Sequence, residues 1–198
     1  MFGWLAACLL SYLLGSVPTG LILGKLLWNT DLREHGSHNI GATNAWRTLG
    51  KVPGTLIFLL DFLKGLVGAW LGFCLVGSPL AMVLSGILAI VGHSASLVLK
   101  FKGGKGVATG LGVIAYLMPM PTILIFCVWL AIVYLTRYVS LGSCVAAALV
   151  PILAWLLNEP TEFVVFGVIA AALIILRHRE NIKRLLNGTE SKIKAAGN

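Results

Sequence analysis

PGTLIFLLDFLKGLVGAWLGFCLVG, residues 53–77, decides the solvent in which this chain folds. A helix needs about 20 consecutive apolar residues to cross the hydrocarbon core of a bilayer. This run is long enough, and its only charges are Asp61 and Lys64, spaced i and i+3 on one helical face. Ionisable residues at membrane depth pair with each other or mark a site, and Gly65 and Gly68 beside this pair point to a close helix contact, so structural pairing is expected. Similar apolar runs recur at about residues 3–28, 79–99, 106–119, 120–136, 140–158 and 161–177. The composition agrees, with 58% apolar and 11% charged residues and a mean hydropathy of +0.94. A soluble domain is roughly half apolar and a quarter charged. The fold class is therefore all-α, a polytopic integral membrane protein with seven candidate spans in one domain over residues 1–198. Segments 106–119 and 120–136 are short, so five spans plus a re-entrant pair is the competing count.

Orientation follows from the loops, because Lys and Arg are retained on the cytoplasmic side. VGSP near residue 78, MPMP near 119 and NEPTE near 160 contain neither residue. The alternate set holds Arg33, Arg47, Lys51, Lys100, Lys102, Lys105, Arg137 and the tail from Arg177, which puts the N-terminus outside and the C-terminus in the cytoplasm. MFGWLAACLLSYLLGS has no basic segment ahead of its apolar run and reads as a first span rather than a cleaved signal. Cys8, Cys74, Cys127 and Cys144 lie within apolar runs without metal-site spacing and are expected to be small buried hydrophobes. The tail begins as a basic amphipathic helix, and its last ten or so residues are expected to fray.

Three polar clusters stand against this background. WNTDLREHGSHNIGATNAWRTLGK, residues 28–51, is far longer than the other connections, and long polar loops in compact proteins tend to be functional. Its useful groups are Ser37, His38, Asn39, Thr43, Asn44 and Arg47; a guanidinium grips phosphate bidentately, while hydroxyls, amides and glycine-flanked backbone bond oxyanions. VGHSASLVLKFKGGKGVATG, residues 91–110, interleaves lysines with Gly103, Gly104 and Gly106 before a new helix and has the makings of a phosphate cradle. His93 and Ser94 precede it and read more readily as helix packing. The third cluster pairs LTRYVSLGS, residues 135–143, with ILRHREN, residues 175–181: Arg137 and Arg177 read as interfacial anchors, whereas His178 and Asn181 share a helical face and Ser143 lies near the same membrane side.

Spacing excludes several enzyme classes. Leu99 stands where a Walker A loop needs its first Gly, and no Ser or Thr directly follows Lys105. The His-x4-Asp signature of acyl-CoA acyltransferases is missing, since Ile40, Thr43, Val98 and Lys183 lie five residues after the four histidines. Metal-dependent phospho-alcohol transferases need an aspartate cluster, and only Asp31 and Asp61 are present, so no metal is expected. A net charge of +8 gathered at one membrane face suits anionic substrates and lipid rather than nucleic acid. A carrier of phosphorylated solutes is the alternative, but its polar groups would be expected along a path through the membrane.

The strings GSVPTGLILGK (15–25), GSHNIGATNAWRTLGK (36–51), LLDFLKG (59–65), GHSASLVLKFKGGKGVATG (92–110) and HRENIKRLLNGTESKI (178–193) occur in this order. In these the chain resembles the bacterial acyl-phosphate:glycerol-3-phosphate acyltransferase family, PlsY, over nearly its whole length. The resemblance implies a phospholipid-synthesis enzyme of the bacterial plasma (inner) membrane whose active site faces the cytoplasm. It implies acyl phosphate as donor, glycerol 3-phosphate as acceptor, membrane lipid as surroundings and no cofactor; a monomer is expected. Carried over by motif, Ser37 and Arg47 are functional, Gly103, Gly104, Lys105 and Gly106 bind glycerol 3-phosphate, and His178 and Asn181 act in the third motif, with Glu180 more important for structure. Ser37, Asn39, Thr43 and Arg47 are the candidates for holding the donor phosphate, Asn44, His93 and Ser94 for further substrate binding, and Ser143, His178 and Asn181 for placing the acceptor. An acyl phosphate is already activated, so alignment and charge neutralisation are the main tasks left to the protein.

Overall fold

The computed structural model describes residues 1–193; the last five positions of the tail, where fraying was expected, lie outside the described residues. All regular structure among the described residues is helical. The chain divides into two compact units, Met1–Leu117 and Met118–Asn198.

The first unit contains α1 (Phe2–Ser16), α2 (Thr19–Trp28), α3 (Ala42–Thr48), α4 (Lys51–Val76), α5 (Pro79–Ser94) and α6 (Val107–Leu117). α4 is its axis and packs against α1, α3, α5 and α6. Lipid tails are as apolar as leucine, so helices associate in a bilayer through small residues that let backbones approach. The buried positions follow that rule: Ser11 and Gly15 of α1, Gly65, Gly68, Ala69 and Gly72 of α4, and Ala81, Gly86, Ala89 and Gly92 of α5. A Cβ on Gly65 would lie 1.8 Å from the Thr109 carbonyl of α6, and one on Gly68 would lie 2.6 Å from the Ala89 Cβ of α5, which bears out the close contact read from those glycines. Large side chains such as Leu5, Leu59, Leu63, Phe73 and Leu80 face outward.

The first apolar run is broken between α1 and α2. Pro18 has no N–H to continue the helix, and the exposed backbone is met from α4, where Lys64 Nζ donates to the Val17 carbonyl at 2.8 Å.

The second unit contains α7 (Pro119–Thr136), α8 (Val139–Leu156), α9 (Thr161–Arg177) and α10 (Arg179–Leu186). α8 packs between α7 and α9. Only Pro121 and Ile125 of α7 are buried, as expected of a helix that is apolar on every side and faces lipid. α9 and α10 meet at a 61° bend centred on His178.

Among the described residues four helices are long and apolar enough to cross a membrane, with α1 and α2 taken as one, or five if α9 and α10 form one broken span. The other apolar segments are shorter: α5 has 16 residues and α6 only 11, the latter about 16 Å at ~1.5 Å per residue. The cysteines depart from expectation. Cys74 and Cys127 are exposed and Cys8 and Cys144 half-buried, because interiors built from glycine, alanine and serine leave other apolar side chains on the outer faces.

Candidate active site

Gly77 and Ser78 alone separate α4 from α5, which return antiparallel against each other. The long polar loop before α4 and the glycine turn after α5 therefore lie at the same end of the first unit. In the second unit, residues 157–160 join α8 to α9, so the start of α8 and the His178 bend share an end in the same way.

In the polar loop, Asn44 is the hub. It is 2% exposed, and its Oδ1 accepts the Ser37 N–H at 2.9 Å. Its Nδ2 donates to the carbonyls of Leu32 at 2.9 Å, His35 at 3.0 Å and Asn39 at 2.8 Å. Gly36 adopts φ +59° here, and a Cβ on it would lie 2.3 Å from Asn44 Oδ1. Asn44, expected to bind substrate, is instead turned inward to shape the loop, leaving Ser37 exposed at its surface. Asn39 turns the same way, its Oδ1 accepting the Gly41 N–H at 2.9 Å. Thr43 and Arg47 are half-buried on α3, which is seated by the buried cluster of Leu32, Ala45 and Ile57 and by Trp46, whose Cβ would be 2.7 Å from one built on Gly54. At the loop's start, Asp31 accepts from Arg33 Nη2 at 2.6 Å and pairs with Lys25 at 3.1 Å, and these cations hold its carboxyl well below the usual carboxylate range.

The glycine turn is built onto the end of α5. The last carbonyls of a helix lack intrahelical donors; here Gly104 N–H donates to His93 O at 3.0 Å and Gly103 N–H to Ser94 O at 3.1 Å. A Cβ on Gly103 would stand 2.0 Å from that His93 oxygen, and one on Gly104 2.1 Å from His93 Nε2. Packing against α5 thus demands both glycines, beyond any need of an approaching anion, and their N–H groups are engaged within the turn. Gly106 has φ +79°, with Ser94 Oγ 3.1 Å from where its Cβ would be, and leads into α6; Lys105 between these glycines is half-buried.

Below this turn, Asp61 pairs with Lys64 at 2.7 Å, as their spacing predicted, and also accepts from Thr19 Oγ1 at 2.5 Å. His93 Nδ1 stands 3.6 Å from the same carboxylate oxygen. The pairing is therefore a four-residue cluster, and the sequence showed only half of it.

In the second unit, His178 is 3% exposed and its Nδ1 lies 2.8 Å from the Ile174 carbonyl. A carbonyl only accepts, so Nδ1 carries the proton and Nε2 is the acceptor nitrogen of the neutral ring. Asn181 is buried and its Nδ2 donates to Glu190 Oε1 at 2.7 Å; Ser140 Oγ donates to the same oxygen at 2.8 Å, and Arg184 Nε to Oε2 at 2.8 Å. Burial pushes the Glu190 carboxyl up, but the hydrogen bonds from Asn181, Ser140 and Arg184 and the Arg184 charge outweigh it, and the net shift is downward. Ile193 N–H donates to Arg137 O at 2.9 Å, so residues 189–193 are docked where fraying was expected. The structural glutamate is Glu190; Glu180 is a surface residue beside Arg179 and Lys183. Ser143 is buried and donates back to the Val139 carbonyl at 2.8 Å.

Among the described residues no three of His, Cys, Asp and Glu are grouped to hold a metal ion. The first unit offers an exposed serine, an arginine and a lysine on rigid supports at one end, which suits anionic phosphate groups. The second offers an imidazole nitrogen and an amide held in fixed orientation.

Residues 5–188 match the model of the family described as Glycerol-3-phosphate acyltransferase. A Glycerol-3-phosphate acyltransferase of Syntrophomonas wolfei is 48% identical, covering 95% of this chain and 96% of its own. Glycerol-3-phosphate acyltransferase 2 of Moorella thermoacetica is 47% identical, covering 96% and 97%. The crystal structure of PlsY, an integral membrane glycerol 3-phosphate acyltransferase, in its glycerol 3-phosphate form superposes with a TM-score of 0.91 at 41% identity, covering 96% of each chain. Its lysophosphatidic acid form gives 0.89 at 39% identity, covering 96% of this chain and 95% of that one. With this agreement in sequence, length and fold, the chain belongs to the glycerol-3-phosphate acyltransferase family.

Proposed function

We propose that this protein transfers an acyl chain from an acyl phosphate to glycerol 3-phosphate, giving lysophosphatidate and inorganic phosphate. The observation that carries the reading is the gathering of Ser37, Arg47 and Lys105 on two buttressed segments at one end of an apolar helical unit. The solved relatives in glycerol 3-phosphate and lysophosphatidic acid forms support the acceptor and product. The donor rests on the motif strings and on the absence of the His-x4-Asp signature used with acyl-CoA.

In this mechanism Arg47 and Ser37, with Thr43 beside them, hold the donor phosphate, and Lys105 at the glycine turn holds the phosphate of glycerol 3-phosphate. His178 Nε2 accepts a hydrogen bond from the acceptor hydroxyl, and Asn181 steadies it. The hydroxyl oxygen forms a bond to the acyl carbonyl carbon and the carbon–oxygen bond to phosphate breaks. The departing phosphate takes the electron pair, and one of its oxygens receives the hydroxyl proton. Cationic groups aimed at phosphate oxygens stabilise the charge that collects there as this bond breaks. No covalent enzyme intermediate is needed, since a mixed anhydride is already activated.

The topology belongs to the same proposal: one membrane-embedded domain acting as a monomer in the bacterial plasma membrane, with seven crossings, the N-terminus outside and the active site facing the cytoplasm. The segregation of Lys and Arg supports it. The decisive experiment mixes purified protein with acyl phosphate and radiolabelled glycerol 3-phosphate. Lysophosphatidate and phosphate should form in equal amounts without coenzyme A or carrier protein; a requirement for acyl-CoA would overturn the donor assignment.

A further inference from the structure

The charges buried in α4 lie next to the glycine turn, and only one side chain separates them from it. Asp61 is 2% exposed, and Lys64 and His93 are each 5% exposed. The carboxylate is surrounded from three elements: Lys64 from its own helix at 2.7 Å, Thr19 from α2 at 2.5 Å, and His93 from α5 at 3.6 Å. Lys64 also ties this cluster to the α1–α2 break through the Val17 carbonyl at 2.8 Å. On its far side the His93 ring meets Gly104 so closely that a Cβ there would lie 2.1 Å from Nε2. The His93 carbonyl takes the Gly104 N–H at 3.0 Å.

We propose that Asp61, acting through His93, is a positioning residue for the turn that presents Lys105 to the acceptor phosphate. The inference rests on the functional reading above. Asp61 fixes the imidazole, the Nε2 edge of the ring and the His93 carbonyl fix Gly104, and Gly104 sets where the Lys105 backbone emerges. His93 thereby supports the turn from below and does not touch substrate. A pair that merely satisfied itself within the membrane would need neither His93 nor a glycine against its ring.

The experiment is a double-mutant cycle on His93→Ala and Gly104→Ala, with Asp61→Asn alongside. It reads KM for each substrate, equilibrium binding of radiolabelled glycerol 3-phosphate, and Tm in detergent. Each single substitution should raise KM and Kd for glycerol 3-phosphate by roughly 10- to 100-fold, as a small displacement of a positioning group does. KM for acyl phosphate should be retained. The double variant should be no weaker than the worse single one, because removing the ring makes room for the added methyl. Additive losses in the cycle, or equal changes in both KM values, overturn the proposal. If Asp61→Asn does not accumulate in membranes, Asp61→Glu takes its place: it keeps the charge beside Lys64 but shifts the carboxylate relative to His93, and an unchanged KM for glycerol 3-phosphate there overturns the role of Asp61. A wild-type protein that binds no glycerol 3-phosphate defeats the functional reading instead, and the Tm cycle then still reports whether the His93–Gly104 contact governs the turn.

Discussion

The side-chain oxygen of Asn44 accepts the backbone N–H of Ser37 at 2.9 Å across the neck of the polar loop. The other end of the same amide donates its two hydrogens among three carbonyls, so the loop closes around one buried group. Asn44→Ala removes all of these bonds and should destabilise the protein by about 2 kcal/mol, the order expected when buried backbone groups lose their partner. Asn44→Asp is the sharper variant. It keeps an acceptor for Ser37 but turns a second carboxylate oxygen toward three carbonyls, and should be at least as damaging as alanine. Thermal unfolding in detergent with KM for acyl phosphate checks both; an aspartate variant with unchanged KM would show that Asn44 does not place Ser37.

Glu190 should make the docking of the tail dependent on pH. Its carboxyl lies below its ordinary value of 4.5 in the folded chain. A group with a depressed folded pKa adds stability that is fully present above the unfolded value and is lost as pH falls through the folded one. The docked segment should therefore be intact at neutral pH and loosen in acid, as pH falls below the ordinary carboxyl value of 4.5 and through the depressed one. Hydrogen exchange of residues 181–193 between pH 7 and 3 should show this release in the native protein, and Glu190→Gln should flatten the dependence. Glu190→Ala should also lower activity, because Asn181 would lose the partner that orients it.

The helices and the membrane class were legible because burial in lipid leaves a long apolar signal: each of the seven apolar segments carries helix, although the run read as 79–99 ends its helix at Ser94 and the first run is broken after Ser16. The Asp61–Lys64 pair was legible for a local reason, its i,i+3 spacing. His93 and Thr19 were not, since they join that pair from helices distant in the chain. Asn44 looked like a ligand because a polar residue in a polar loop gives no hint of which way it turns, and its partners are mostly backbone atoms. Glu190 lies in a polar tail with nothing local to separate it from Glu180; only the docking of that tail on the start of α8 does so.

Orientation is open to a direct measurement. On a background lacking the native cysteines, a cysteine at Ser78 should react with an impermeant reagent added outside, and one at the exposed Lys102 should react only after the membrane is opened. Position 102 is preferable to 103, where any side chain would meet the His93 carbonyl. Outside labelling at 102 would reverse the topology and place the glycine turn away from cytoplasmic glycerol 3-phosphate.

His178 separates two chemical routes that end in the same product. Its Nδ1 is held by the Ile174 carbonyl at 2.8 Å, which leaves Nε2 as the acceptor nitrogen and fixes the ring at the α9–α10 bend. Such a nitrogen can act as a general base or can orient the hydroxyl while another group takes the proton. The leaving phosphate gains negative charge as the acyl bond breaks, so it becomes a better proton acceptor at the moment the hydroxyl becomes acidic, and the ring need only orient the hydroxyl. On this route His178→Gln should raise KM for glycerol 3-phosphate more than it lowers kcat, and the pH profile should keep its shape. A base would leave a different signature: kcat lower by ~10²- to 10⁴-fold and loss of the profile's limb near the histidine pKa. Kinetics of the variant from pH 5 to 9 at saturating acyl phosphate distinguish these outcomes. Quenching wild-type protein with donor alone tests both, since acyl-enzyme trapped at Ser37 would replace direct transfer with a two-step route through that serine.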